Sequence, residues 1–480
     1  MICIARQNRL LAVEIRVSEL FGEYHDSNYG TEGLVTHAQS PKAFKMLTTP
    51  FLTDLDSRAA VKGSRDPLGI QQIWTRLGRH VVGNLTTVSN SVRDFTTLLL
   101  GYHFAEQIAQ DLGPGTELST FLKWEQLAAY SRAEVNSDFS FRGTERVRKK
   151  LADDSRVCLS DDRSHQILSN QKIYGLWGLY TMPARSSGLV DGDPPRLTLP
   201  ATDLVERFYL PILQEGAGRN AKRIRDLLRQ KLSRIDLKNG DVGLVQAIGK
   251  VLKKGLRSRE REFFRFHLLH SGPQDPTSGL QQQLADLLAE TLDHKDFIWS
   301  CATVGYLAKA ARTKGEKWEV LSHRLNRIRT SEAVLAPAAT LFTHLLGLNG
   351  KTINSVVARL SNEWGSGLRS VVPTEFRDLH AELSGGDSVT GDRWIGIAES
   401  LASGDYKAVL TLLIDQNRSV MATRGGAPWL ERRGGKLHVR FLDEQGTLPK
   451  QAELANLWRF PYFLDSLRIV ADTLKEKRDV

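Results

Sequence analysis

Cysteine is scarce: Cys3, Cys158 and Cys301 are the three in 480 residues, too few and too scattered for a disulfide framework or a zinc site built on thiolates. That fits a reducing, cytoplasmic setting. Long apolar runs are missing as well. The longest uncharged stretch, 333–348, contains Pro337, Thr340, Thr343 and His344, and falls short of the roughly 20 apolar residues of a membrane helix. The N-terminal MICIARQNRLLAVEIRV is interrupted by Arg6, Arg9, Glu14 and Arg16, which leaves no signal-peptide core. Neither secretion nor a membrane partner is expected.

Catalytic signatures are equally sparse. No Gly-x-Ser-x-Gly turn, His-Glu-x-x-His, Cys-x-x-Cys or dinucleotide glycine fingerprint occurs. Gly347-Leu-Asn-Gly-Lys-Thr352 has Leu345 where a phosphate loop needs its first glycine, and reads instead as a turn in a helix-turn-helix or plain helical hairpin, with Lys351, Asn354, Ser355 and Arg359 outward. Asp236-Leu-Lys238 and Asp293-His-Lys295 have nuclease-like letters in helical or turn contexts. Asp54, Asp56 and Asp66, with Arg58, Lys62 and Arg65 nearby, could hold Mg²⁺ and a phosphate. The same letters also make turns and helix caps. The enzyme that remains as an alternative is a divergent metal-dependent nuclease or phosphotransferase using those three carboxylates; a protein-interaction scaffold is another. No cofactor is expected.

What is present is ordinary in bulk. With 41% apolar and 25% charged residues, the chain has the make-up of a globular protein of roughly two to four domains. Its one anomaly is local. The stretch 219–265 carries fifteen Lys or Arg against five Asp or Glu, an excess equal to the net +10 of the whole chain. Positive charge confined in this way points to a polyanion, nucleic acid first. Ala221, Ile224, Leu227, Leu228, Leu232 and Ile235 keep a helical period, which predicts one amphipathic helix with Arg219, Lys222, Arg223 and Arg229 on its flank and Arg225 in the same cationic set. A second helix follows over 244–252 with Lys250, Lys253 and Lys254 exposed, continued by Arg257 to Arg265. Such helix-borne cations suit phosphate oxygens more than base edges.

Upstream, the predicted order is a helix with Phe121, Trp124 and Leu127 inward, a polar turn, a short basic helix over 143–152, an extended piece at 156–160, a strand-like aromatic segment over 172–181, a Pro/Gly loop, an extended 196–200 and a helix over 201–213. Arg196-Leu-Thr-Leu-Pro-Ala-Thr-Asp-Leu-Val-Glu-Arg-Phe-Tyr209 resembles the close of winged-helix DNA-binding modules, and the resemblance covers about residues 118–213. It implies that Arg142, Arg146, Arg148, Lys149 and Lys150 lie on a recognition helix and Arg185 on a wing. The insertion around 174–193 departs from that pattern. The stretch TPFLTDLDSRAAVKGSRDPLGIQQIWTRLGRHVVGNLTT resembles uncharacterised bacterial proteins encoded beside helicases or nucleases in anti-phage defence operons.

The expected fold is mainly α with small β elements, a winged-helix-like module plus a C-terminal helical domain. An N-terminal extension, a candidate for disorder, covers 1–45. Helices over 46–117 precede the winged-helix-like module (118–213) and the basic helices (214–270). A linker at Ser271–Gly279 opens a helical bundle (271–425), and a cap with a β-hairpin signal around Gly434-Gly435 covers 426–480. The function expected is that of a non-catalytic, nucleic-acid-binding subunit of a bacterial multi-protein system, with DNA preferred to RNA and other protein subunits as partners.

Overall fold

The computed structural model describes residues 66–215, 219–291, 297–443, 446–454 and 456–475. The N-terminal extension, Asp54 and Asp56 lie outside the described residues. The chain is mainly helical with a few short strands, as expected. No described helix is long and apolar enough to cross a membrane.

Helix α1 spans Ile70–Arg79, α2 Val92–Leu112 and α3 Glu117–Asn136. Asp66 caps α1: its carboxylate oxygens accept the Ile70 and Gln71 N–H groups, each at 2.9 Å. The Ser91 side chain caps α2 by accepting the Asp94 N–H. These two caps fix where the helices begin. The pair α2/α3 forms the centre of the N-terminal half, buried almost all round through 92–105 and 120–133. They approach closely at Gly101, where an added Cβ would lie 2.7 Å from the Phe121 ring. Trp124 donates to the Thr97 carbonyl at 2.8 Å across the same contact.

Around this pair wrap α4 (Thr144–Asp153), β1 (Arg156–Leu159), α5 (Gln171–Tyr174), α6 (Leu176–Ser186), β2 (Val190–Asp191), β3 (Arg196–Leu197), α7 (Leu199–Leu204) and α8 (Leu210–Gln214), with a π-helical turn at Val205–Tyr209. Then follow α9 (Asn220–Arg229), β4 (Ser233–Asp236), α10 (Val242–Val251) and α11 (Ser258–Phe264).

Three local expectations are corrected here. The aromatic segment 172–181 is helical, not a strand. Leu176, Tyr180 and Ala184 fall on one buried face, the Asn170 side chain accepts the Ile173 N–H, and the buried Glu125 carboxylate accepts the Leu176 N–H at 2.8 Å. These tertiary partners outweigh the strand preference of its aromatic and β-branched letters. The first basic helix stops at Arg229 instead of running to Ile235, because Ser233 and Ile235 are buried as alternating residues of a strand that pairs antiparallel with β1. The second does not continue through Arg257; a turn separates α10 from α11, and the Glu260 carboxylate caps α11 by accepting the Arg257 N–H at 2.7 Å.

The C-terminal half holds α12 (Leu280–Thr291), α13 (Cys301–Thr313), α14 (Glu319–Leu345), α15 (Ile353–Trp364), α16 (Pro373–Arg377), α17 (His380–Ser384), α18 (Ser388–Ser403), α19 (Tyr406–Thr423), β5 (Leu430–Arg433), β6 (Lys436–Val439), α20 (Gln451–Leu454) and α21 (Leu464–Leu474). The β5–β6 hairpin turns at Gly434 and Gly435 with φ of 54° and 75°, the left-handed pair that a two-residue hairpin loop needs.

The halves interlock. Helix α1 packs on α14, Trp74 meets the Tyr462 and Phe463 rings, and Gln416 and Asn417 of α19 donate to the Leu68 and Pro67 carbonyls, each at 2.9 Å. The segment read as a linker is part of this packing. Ser271 and Thr277 are buried, and Asp275 accepts the Thr277 and Gly279 N–H groups. Its Gly, Pro and Ser encode tight turns here, not an open tether.

Glu332 of α14 ties down the C-terminal segment. Its fully buried carboxylate accepts the Arg459 and Phe460 N–H groups and the Tyr462 hydroxyl, the last at 2.8 Å. Burial pushes this carboxyl up to about 7 from the ordinary 4.5, against the pull of those donors. Between these values the folded chain keeps a proton that the unfolded chain releases, so this group's contribution to stability falls as pH rises through that window, by up to about 1.4 kcal/mol per pH unit. Thermal melts between pH 5 and 8 should show a smaller loss for Glu332→Gln than for the parent; equal losses would remove Glu332 from the account.

Candidate functional site

The site rests on α3. Arg132, 2% exposed, lies between two carboxylates: Nη1 donates to Asp94 of α2 at 2.7 Å and Nε to Asp138 at 2.9 Å. Burial opposes charge on Asp138, but the Arg132 guanidinium and the Ser140 donors hold its carboxyl below the usual range. The turn that starts at Ser137, itself left-handed with φ of 47°, is thereby fixed, and with it the point where α4 begins.

Helix α4 buries Val147 and exposes Arg146, Arg148, Lys149 and Lys150. Arg148 lies over the Phe139 ring, 4.4 Å from its centre. Arg142, expected beside them, turns inward and lines a cavity of about 10 Å³ with Asp94, Glu125 and Arg132. There burial pushes the Glu125 carboxyl up to about 7, opposed by hydrogen bonds from Leu176 and Gln171. Arg185 sits on α6, not on a wing, and its guanidinium donates to the Gly192 carbonyl in the β2–β3 loop.

The strand pair β1–β4 then joins Ser233–Asp236 of the central basic stretch to the strand that follows α4. Its register places Arg234 opposite Cys158 and Ile235 opposite Val157, with Val157 and Ile235 inward and Arg234 exposed. Cys158 lines a cleft of about 360 Å³ whose other walls are Tyr130 of α3, Arg146 and Lys150 one turn apart on α4, and Arg163 to Gln166 of the following loop. Among the described residues no carboxylate lines it, although Asp154 acts on Lys150 and Asp162 on His165 from outside it. Asp162, next to it in sequence, is engaged as the acceptor of the Ser164 N–H and hydroxyl. A polar, cation-lined concavity of this kind attracts and orients oxyanions.

The other cations of the basic stretch divide in two. Arg223 pairs with Asp241 at 3.1 Å, Arg229 with Asp111, Lys250 with Glu215, and Arg257 with the buried Glu260 at 3.5 Å. Their charge is largely compensated. Arg219, Lys222, Lys253 and Lys254 are exposed and make no ion pair among the described residues, while Arg225 is half-buried beside His103, whose ring burial brings down to about 4. Of the carboxylates weighed for metal, Asp66 is the one within the described residues, where it acts as the α1 cap and neighbours Arg424 at 3.7 Å. Among the described residues no cluster of three or more metal-ligating side chains occurs.

Tyr130, Arg163 and His165 were not legible as site residues. Nothing in the local pattern marks them, because they join the site only through the β1–β4 pairing and the course of the 160–170 loop. Comparison with known proteins gives no match: no family model, no curated protein and no solved structure is similar to the chain.

Arg132 positions this face, so removing its charge should be costly. Arg132→Met leaves Asp94 and Asp138 without their buried partner, and denaturant unfolding should register a loss of about 3–5 kcal/mol. A loss under about 1 kcal/mol, the range of an exposed pair, would show that the guanidinium does not hold the turn.

Proposed function

We propose that the chain binds the phosphate backbone of nucleic acid, duplex DNA in preference to RNA, as a non-catalytic subunit of a larger assembly. One observation supports the reading: Arg146 and Lys150 of α4, Arg163, and Cys158 of β1 line one cleft with no carboxylate among its described lining residues, and Arg234 lies opposite Cys158 in the β1–β4 register. Arg146, Lys149, Lys150, Arg163 and Arg234 form the grip. Lysine and arginine side chains without acidic partners gain from releasing phosphate counterions, whereas those already paired with Asp or Glu gain little. Contact of this type positions a duplex without reading its sequence.

The winged-helix resemblance supports the reading through the order of α3, α4 and the β2–β3 hairpin, with α4 as the outward basic helix. It is partial, since β1 pairs with β4 and β2–β3 forms its own sheet. The resemblance to proteins of anti-phage defence operons supplies the setting, a subunit acting beside a helicase or nuclease.

Affinity for a short duplex, measured across a salt series, should fall steeply. The logarithmic slope should drop by about 0.9 for each phosphate contact removed, so Lys149→Gln combined with Lys150→Gln flattens it. Arg223→Gln with Arg229→Gln should leave the slope nearly unchanged, because both arginines are ion-paired. Flattening by the second pair and not by the first would move the interface to α9, and absence of binding at low salt would end the proposal.

A further inference from the structure

The cleft at the centre of this face is more specific than a backbone grip requires. Arg146, Lys150, Arg163 and His165 line it from two separate segments, together with Tyr130 of α3. Arg146 already gives one N–H to the Gln166 carbonyl at 3.2 Å, which fixes the guanidinium and leaves its other donors free. Tyr130 is only 4% exposed, yet no hydrogen bond engages its hydroxyl within the described residues. Burial pushes that phenol up to about 12, so it remains a neutral donor. A phenol in the wall of a cation-lined cleft, with no protein acceptor among the described residues, is free to donate to an oxyanion held there.

The charge count selects the ligand. A phosphodiester inside a strand carries one negative charge, and a phosphomonoester carries about 1.5–2 with three strong acceptor oxygens. Several cations lining one cleft favour the second, because charge-assisted hydrogen bonds strengthen with the charge they meet. At about 360 Å³ the cleft falls in the ordinary range of small-ligand sites, roughly 300–1,000 Å³.

We infer that the cleft between α3, α4, β1 and the 163–166 loop is a binding site for a phosphomonoester, borne either by the end of a nucleic-acid strand or by a free nucleotide. It builds on the proposed function in assigning Arg146 and Lys150 to a single phosphoryl group.

The test compares two labelled single strands of one sequence, one 5′-phosphorylated and one with a 5′-hydroxyl, and AMP, all binding to the full chain. The phosphorylated strand should bind at least about tenfold more tightly, the worth of one charge-assisted hydrogen bond. Arg163→Gln and Lys150→Gln should abolish that advantage, and Tyr130→Phe, which keeps the ring packing, should reduce it without lowering the melting temperature. Competition by AMP identifies a free nucleotide as sufficient, and failure of AMP to compete with the advantage intact identifies the strand end. Equal affinity of the two strands with no AMP binding overturns the inference and leaves the backbone grip standing. Binding of AMP with no binding of either strand does the reverse.

Discussion

The guanidinium of Arg132 is the constraint from which the N-terminal half follows. A cation 2% exposed is tolerated only with compensating charge at hydrogen-bond distance, and Asp94 and Asp138 supply it from two different segments. Three parts of the chain, α2, α3 and the turn before α4, are thereby held in one arrangement. A second buried pair, Arg93 with Glu260, does the same for α2 and α11, where Tyr209 adds its hydroxyl at 3.0 Å. Helices as fully enclosed as α2 and α3 would ordinarily be apolar throughout. Here they carry Arg93, Asp94, Lys123, Glu125 and Arg132 inward, each with a partner.

That economy explains why a local excess of cations does not become a uniformly basic surface. Acids from distant parts of the chain fold over much of the stretch 219–265: Asp111 meets Arg229, Glu215 meets Lys250 and Asp203 meets Arg259. Compensation is incomplete around α4 and β4. Uncompensated positive charge therefore remains at separate places, on α4 and Arg234 of β4 and at Arg219, Lys222, Lys253 and Lys254. A concave wall focuses field more than a convex helix flank, which favours the cleft as the place where an anion is held.

Much of the fold was legible where local signals are strong. The apolar spacing of Phe121, Trp124 and Leu127 marks α3, the run of cations with Val147 marks α4, and Gly434-Gly435 marks the hairpin. Illegible parts depend on partners far away in sequence. The helical state of 176–186 depends on Glu125 accepting at its first turn, and β4 depends on β1, some 80 residues upstream by the register Arg156 with Asp236. The Ser271–Gly279 segment has a linker's composition, yet Gly83 closes on Pro276 so tightly that a Cβ there would come within 2.4 Å. Of the candidate site, the α4 cations could be found from sequence. Which basic residues are cancelled could not, since Arg229 and Asp111 are 118 positions apart.

The strand pair has a further consequence for how the site is built. It is four residues long on each side, and an isolated two-stranded ribbon of that size is marginal in water. Its inward residues Val157, Leu159, Ser233 and Ile235 are all buried in the common core, so the ribbon persists by packing and not by its own hydrogen bonds. The backbone at Cys158 and Arg234 is consequently set by the core beneath it, while α4 is held through the Arg132 turn. Two independent anchors thus fix the opposite walls of one cleft. Cations whose backbones are fixed on two sides of one cleft meet a small, highly charged group without moving either wall, whereas each contact to an extended ligand must be ordered separately on binding.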